Sequence, residues 1–424
     1  MLEERRSMQE LLSAENDKSY QERLEAKKTE PRAEVHSFHR YFGKFIPAIP
    51  SFAIETFTSP GDTVLDTFCG SGTSIVEAKF HNRNAIGIDI NPISCLLTRI
   101  KTTYIPEQEI LDELPRVIAK INSNRNKSDL VEPYCVNIDH WFCPRVKQDL
   151  LVLKDAILGI HEPQLRDFYI GVFSAFMRNV SNCDPRHVFP GYSKRLRQLD
   201  AEGKRVINVF SSFERAVKKR AKQVSNIPQN SSVIKLYNCS AKEIPVPDES
   251  MKLVVINPPY ISSIRYLETM KIEMGWLGMV KSQDEYLELD KKLFGTERFY
   301  KKDLERFECC DIPKLKQQVN TLRESYPKMA KVVSEYFINM KQSFSEIVRV
   351  LKRDGTLVIK ISDSRVRTEL ILTHEYFIAM LTSLGMTLVD KFQDNFDNNS
   401  RSLLTTRNSY SDIMLSDWIL IFKK

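Results

Sequence analysis

The chain has 424 residues, 42% hydrophobic and 28% charged, with a formal net charge of +7. That composition excludes a low-complexity or disordered chain and fits either one large domain with insertions or two domains, while the small basic excess permits a polyanionic partner. No apolar run reaches the length of a membrane span, Met1–Arg6 lacks a signal-peptide core, and the eight cysteines show no CxxC pair or His spacing for zinc, so free thiols in a reducing cytoplasm are expected.

In chain order, residues 1–35 are charged with scattered leucines (Leu11, Leu12, Leu24); an N-terminal helix is one reading and a solvated flank the favoured one, with order expected from about His36. Phe52–Phe57 predicts a helix, closed by the Pro60-Gly61 turn. Thr63-Val64-Leu65 is a short buried strand, followed by Asp66-Thr67-Phe68-Cys69-Gly70-Ser71-Gly72-Thr73, a helix over Ser74–Phe80, and a second strand over Ala85–Ile90 with Asp89 at its tip. This is one βαβ unit.

The unit has the physical requirements of a nucleoside site. Gly70 and Gly72 allow a tight turn and leave room for a ligand against the main chain, and an acid at the tip of the second strand can accept hydrogen bonds from two ribose hydroxyls. The loop is neither GxGxxG nor GxxxxGK[ST]. It carries its own acid, Asp66, which suits a cationic amino group and opposes a pyrophosphate, so S-adenosylmethionine is favoured over a nucleotide phosphate. Taken alone, the two glycines are equally compatible with a generic βαβ turn.

From about 101 to 230 the pattern is helical, over Ile110–Ile121, Pro144–Leu158, Gln164–Val180 and Arg205–Val224, and reads as an insertion. His140-Trp141-Phe142 reads as a core cluster. Asp184–Tyr192 is a loop of turn formers and aromatics suited to the mouth of a base pocket. Arg195, Arg197, Lys204, Arg205, Arg215, Lys218, Lys219, Arg220 and Lys222 form the densest basic stretch, either a solvated helix face or a phosphate-contacting surface.

Val233–Tyr237 is the next strand candidate and leads to Ser240-Ala241. Leu253–Ile256 is another buried strand and runs into Asn257-Pro258-Pro259-Tyr260, where two prolines end the ladder and fix an extended turn. The Asn257 side-chain carbonyl and the Pro258 carbonyl can accept hydrogen bonds from one exocyclic amino group, and Tyr260 offers a ring on which a base can stack. Residues 271–335 are rich in charges and aromatics, with Phe294-Gly295-Thr296 as a turn and Lys291, Lys292, Arg298, Lys301, Lys302 and Arg306 as candidates to face nucleic acid. The pattern then predicts a helix over Phe337–Leu351, a turn at Asp354-Gly355, a strand over Thr356–Ile361 and a helix over His374–Leu384. A final hairpin of Met386–Asp390 and Trp418–Phe422 follows, with Arg401, Arg407 and Tyr410 in its loop.

The loop Asp66–Thr73 together with Asn257–Tyr260 resembles the amino-methyltransferases that act on exocyclic nitrogens of nucleic-acid bases, chiefly bacterial DNA adenine-N6 and cytosine-N4 methylases. Their hallmarks are a DxFxGSGT donor loop and a [DNS]PP[YFW] catalytic loop. His39–Pro47 (HRYFGKFIP) is similar to the segment of that family that helps hold the methionine end of the donor. The resemblance implies a Rossmann-like class I α/β sheet with helices on both faces, plus a mostly helical insertion. The core would be 36–100, 231–270 and 336–424, with insertions at 101–230 and 271–335 that read the target or contact nucleic acid.

It further implies donor contacts from Lys44, Pro47, Asp66, Phe68, Gly70, Gly72, Thr73, Asp89 and Ser240, and catalysis by Asn257, Pro258, Pro259 and Tyr260, without a metal. The family carries an acid in its third motif; the matching stretch here, Asn238-Cys239-Ser240-Ala241, has none. The implied partners are double-stranded DNA with the target base flipped out and, in a restriction-modification system, a cognate restriction endonuclease. NPPY favours adenine-N6, with cytosine-N4 as the alternative. An RNA base methyltransferase would share the chemistry, though no RNA-binding module is recognisable. A protein glutamine methyltransferase also uses NPPY but usually lacks the FxGSGT loop.

Overall fold

The computed structural model describes residues 19–125, 127, 129–184, 187–261, 265–299, 307–309, 311–395 and 416–424. Seven strands form one sheet: β1 (Thr63–Asp66), β2 (Asn84–Ile88), β3 (Ile234–Tyr237), β4 (Met251–Ile256), β5 (Leu351–Ile361), β8 (Thr387–Asn395) and β9 (Ser416–Lys423). β6 (Ser364–Val366) and β7 (Glu369–Ile371) make a small separate hairpin. The sheet order is β3-β2-β1-β4-β5-β9-β8. All pairings from β3 to β5 are parallel, and β9 pairs antiparallel with both β5 and β8.

The order reverses direction between β1 and β4, where Val64 lies beside Leu253 and Leu65 beside Val254. In an open α/β sheet that reversal leaves a crevice beyond the carboxyl ends of the strands. Asp66, Asp89 and Asn257 lie at or just past the ends of β1, β2 and β4, so all three reach this crevice.

The central strands are buried on both faces, which is why Val64-Leu65 and Leu253–Ile256 read as continuous apolar runs. Leu65, Ile86, Ile88, Val254 and Ile256 face the Pro327–Val350 helix. Val64, Ala85, Leu253, Val255 and Val358 face the opposite side, with Ile49, Phe52 and Ala53 of the Ala48–Phe57 helix.

Order begins earlier than the charge pattern suggests. Ser19 and Glu22 form a reciprocal cap on a helix over Tyr20–Lys28. That helix buries Leu24 in the core, sets Tyr20 edge-on against Phe52 and Phe57, and pairs Lys27 with Glu55. One buried leucine and one tyrosine suffice to dock it, and its charges are the outer face. Likewise the helix expected over Phe337–Leu351 starts at Pro327, where Ala330 and Val333 are already buried. The Asp354-Gly355 turn lies inside β5. Met251 pairs with Leu351 but Leu253 with Thr356, so residues 352–355 are absorbed as an irregular bulge. The expected second strand stops at Ile88, leaving Asp89 in the loop beyond it. The hairpin loop carrying Arg401, Arg407 and Tyr410 lies outside the described residues.

The 101–230 segment is helical as expected, over Glu107–Asn124, Pro144–Leu158, Pro163–Met177 and Val209–Ser225. Its apolar faces share one cluster with Phe38, Leu96 and Ile100, so the insertion is docked on the core. Gly171 is the contact point: a Cβ there would lie 2.4 Å from Ile100 and 3.1 Å from Phe38.

Gly72, at φ 77°, precedes the Thr73–Phe80 helix, and a Cβ on it would sit 2.4 Å from Thr98 Oγ1 and 2.5 Å from Thr98 Cγ2. The space it leaves is therefore filled by Thr98, and no ligand approaches there. Gly72→Ala is expected to destabilise the protein by about 2–4 kcal/mol through overpacking and left-handed strain. Thr98→Ala in the same chain should recover part of that loss in urea denaturation.

Candidate active site

The crevice holds a pocket lined by the end of β1 and by the loops beyond β1, β2 and β4. Its floor is the Asp66–Thr73 loop, which is held in shape by two carboxylates. Asp66 is buried; it accepts a hydrogen bond from the Phe68 amide at 3.0 Å and from Ser74 Oγ at 2.6 Å. Asp89 accepts from the Gly70 amide at 2.7 Å through Oδ2 and from the Asn91 amide at 2.8 Å through Oδ1. Each Asp89 oxygen keeps a lone pair for a hydroxyl donor. Burial pushes the Asp66 carboxyl up to about 7 and that of Asp89 to about 6. Asn91 then caps the Pro92–Thr102 helix by accepting from the Ile93 amide.

Of the donor residues named from sequence, Lys44, Asp66, Phe68, Gly70, Thr73, Asp89 and Ser240 line this pocket. Pro47 instead sits at the N-terminal flank of the Ala48–Phe57 helix, and Phe45 takes the wall position. Lys44 Nζ donates to the His36 and His39 carbonyls, each at 2.8 Å, which leaves one N–H for a ligand. Burial pulls its ammonium down to about 8. Behind it Lys101 is 1% exposed, with Ser71 Oγ at 3.5 Å; burial, and then the Lys44 charge, hold its pKa well below the usual range for lysine. Half-buried Lys44, on the pocket wall, offers a cation to an anionic ligand group.

Asn257 and Pro259 line the same cavity, while Pro258 is buried beneath them. Asn257 Nδ2 donates to the Gly43 carbonyl at 3.4 Å, and Oδ1 accepts from the Tyr260 hydroxyl at 3.2 Å. Beside Asn257 the wall is completed by Gly43 and Tyr266, and the ring of Tyr260 is set back from it. The donor loop and the acceptor loop therefore open into one space.

Sequence reasoning did not single out Tyr41, Thr67, Asn91 and Tyr266, or the trio Lys292-Leu293-Phe294, as pocket residues. Tyr41 lies inside the quoted HRYFGKFIP segment, and Asn91-Pro92 after a strand is a legible helix start. Phe294 meets Phe68 edge-on at 5.4 Å, forming an aromatic wall. No local pattern marked it, because Phe294-Gly295 reads as a turn. Lys292, expected to face nucleic acid, faces the donor pocket, and Arg298 pairs with Asp290. Lys301, Lys302 and Arg306 lie outside the described residues.

The basic stretch of the insertion divides in two. Arg205 pairs with Asp200, Lys204 with Glu202 and Lys218 with Glu214, and Arg220 donates to the Phe38 carbonyl at 2.7 Å from a half-buried position. Arg195, Arg197, Arg215, Lys219 and Lys222 are exposed. The expected His140–Phe142 core cluster also splits. Phe142 is buried against Trp276, whereas His140 is exposed and stacks on Tyr192 at 4.2 Å. Arg197 lies over Tyr192, Arg265 over Phe189 and Arg40 over Phe42, and Arg40 donates to the His187 carbonyl at 2.6 Å. This rim of paired cations and rings adjoins Tyr41, Gly43 and Tyr266 of the pocket; Pro185 and Arg186 lie outside the described residues.

The pocket fits S-adenosylmethionine on its own chemistry. Thr67 Oγ1 and Asn91 Nδ2 are buried without a partner on residues of its wall, Asp89 has lone pairs for ribose hydroxyls, and Lys44 suits a carboxylate. Donor affinity is expected to rise as pH is raised through about 6, because Asp89 becomes an acceptor-only carboxylate. Asp89→Asn should flatten that rise and weaken binding about tenfold or more, measured by calorimetry between pH 5 and 8.

Residues 3–98 match a family model for N6/N4 methyltransferases described as DNA methylase. The chain is 26% identical over 348 residues to the Type II methyltransferase M.MvaI of Kocuria varians, covering 76% of this chain and 75% of that protein. It is 21% identical over 377 residues to the Type II methyltransferase M.MjaII of Methanocaldococcus jannaschii, covering 64% and 71%. Among solved structures it overlays an S-adenosylmethionine-dependent methyltransferase of Methanosarcina mazei with a TM-score of 0.33 at 9% identity, over 88% of this chain and 96% of that one. No helix among the described residues is long and apolar enough to cross a membrane. With both hallmark loops opening into one pocket that fits the donor, the chain is an enzyme similar to the S-adenosylmethionine-dependent amino-methyltransferases.

Proposed function

We propose that the enzyme transfers a methyl group to the N6 amine of adenine in a specific DNA sequence. The observation that carries this reading is the shared cavity, in which Asp66, Gly70 and Asp89 form one wall and Asn257 and Pro259 another. The DNA methylase family match and the Type II methyltransferase relatives support DNA as the substrate. The resemblance of Asn257–Tyr260 to NPPY supports adenine-N6 over cytosine-N4.

When bound, S-adenosylmethionine supplies an electrophilic methyl group on a sulfonium. The chain's own residues do the rest by orientation and hydrogen bonding. An exocyclic base amine is a poor nucleophile because its lone pair is delocalised into the ring. Asn257 Oδ1 and the Pro258 carbonyl accept hydrogen bonds from its two N–H groups, favour a pyramidal nitrogen and aim its lone pair at the donor side of the cavity; the methylated nitrogen then releases one proton to solvent. This is positioning plus electrostatic preorganisation, and it requires no strong base. The Nδ2 contact to the Gly43 carbonyl fixes which end of the Asn257 amide is the acceptor.

The amine of a stacked base is out of reach, so the base must leave the duplex. The rim formed by residues 187–192, Arg40 and Arg265 lies beside the pocket and supplies rings and cations for the opened strand, and the exposed Arg195 and Arg197 suit backbone phosphates. On this reading the helical insertion contacts the target, the chain works in the cytoplasm, and its biological partner is a restriction endonuclease with the same recognition sequence.

Base-resolved methylation sequencing of DNA from a methylation-free host expressing the protein should show N6-methyladenine at one motif. N4-methylcytosine would move the reading to the cytosine branch, and a blank with intact donor binding would move it to RNA. Asn257→Ala should keep donor affinity within about twofold and lower transfer by about a hundredfold or more. Replacing both Arg195 and Arg197 with Ala should reduce the salt slope of DNA binding by about 2, with donor affinity unchanged.

A further inference from the structure

Three buried side chains outside the donor pocket meet behind the catalytic loop. Lys360, near the end of β5, and Asp417, in β9, form an ion pair with 6% and 1% exposure, and Ser362 also donates to Asp417 Oδ1. The Tyr260 hydroxyl reaches into this pair. It lies 3.2 Å from Asp417 Oδ1, 3.3 Å from Lys360 Nζ and 3.2 Å from Asn257 Oδ1. Lys360, Ser362 and Asp417 belong to neither motif, yet their contacts lead through Tyr260 to Asn257 Oδ1.

A phenol has one proton to donate. Lys360 can only donate to the Tyr260 oxygen, so two acceptors, Asp417 Oδ1 and Asn257 Oδ1, compete for that proton. Hydrogen bonds to an ionised acceptor are roughly twice as strong as those between neutral groups, so the carboxylate takes it. When Tyr260 donates to Asp417, both lone pairs of Asn257 Oδ1 stay available. When it donates to Asn257, one lone pair is occupied and the amide oxygen is a weaker acceptor for the amine.

We propose that Asp417, held by Lys360 and Ser362, is a positioning residue that draws the Tyr260 proton away from Asn257 and so keeps the catalytic acceptor open. This rests on the reading of Asn257 as the acceptor of the target amine. Tyr260 then acts on the reaction through its hydroxyl.

The test uses the full-length enzyme, an unmethylated duplex carrying the motif it modifies, and four chains: native, Asp417→Asn, Tyr260→Phe and the double variant. Asp417→Asn makes the competing acceptor neutral and returns the Tyr260 proton to Asn257. The expected result is a kcat at least tenfold lower, with KM for DNA and donor affinity by calorimetry within twofold of native. Tyr260→Phe alone should cost less than Asp417→Asn. In the Asp417→Asn background it should raise kcat, because no hydroxyl remains to occupy Asn257.

The proposal is overturned if Asp417→Asn keeps kcat within twofold of native, or if Tyr260→Phe lowers kcat further in that background. Should Asp417→Asn alone fail to fold, as judged by its melting curve, the same comparison is made in the Lys360→Gln, Asp417→Asn chain, which carries no buried charge and must show the same rescue. If native enzyme transfers nothing to DNA, the functional reading fails; a native enzyme that transfers while Tyr260→Phe fails to rescue isolates the failure to the Asp417 device.

Discussion

The Asp89 carboxylate ties the active site together. It joins two segments about twenty residues apart by accepting from the Gly70 amide in the donor loop and from the Asn91 amide at the start of the next helix. Both are charge-assisted bonds to backbone donors that would otherwise be buried without partners. The same carboxylate that shapes the loop thus presents its remaining lone pairs to the cavity. One side chain sets the shape of the loop and leaves acceptors toward the cavity, and burial raises its carboxyl to about 6.

The insertion extends this rigidity outward. Gly171 lets its helices approach Phe38 and Ile100 closely. Farther out, buried Arg178 pairs with Glu273 at 2.7 Å and contacts the Val188 carbonyl at 3.4 Å. One guanidinium therefore links the rim loop to the helices that follow the catalytic loop. Removing either partner of such a pair would leave an uncompensated buried charge, so rim and catalytic loop are held in fixed relation.

Much of the architecture was legible in the sequence because its signals are local. Short β-branched runs marked β1, β4 and the core of β5, and three- and four-residue apolar spacing marked the insertion helices. The two motif loops named Asp66, Asp89 and Asn257, and the strand order brings these to one crevice. What escaped was set by contacts distant in sequence. Thr98 fills the space at Gly72, which reads locally as room for a ligand. Lys292–Phe294 closes the donor pocket from a segment without periodicity. The Lys360–Asp417 pair depends on β9 entering the sheet beside β5, a pairing no single strand announces. The Tyr20–Lys28 helix was hidden by its charges, since a helix docked by two side chains leaves most of its residues polar.

The pairing of β1 with β4 also bears on how the chain folds. Val64 and Leu253 are about 190 residues apart in sequence, with the whole helical insertion between them. Closing that distance in an unfolded chain carries a large entropy cost, and parallel pairing across such a span is slow. The insertion's helices bury one another in one shared apolar cluster. Once formed, they hold the start of β3 near the end of β2 and turn a long flexible loop into a short rigid one. The element proposed to meet the DNA is thus also a folding clamp, and a lesion in its core far from either motif would lower the yield of active enzyme before it changed any rate constant.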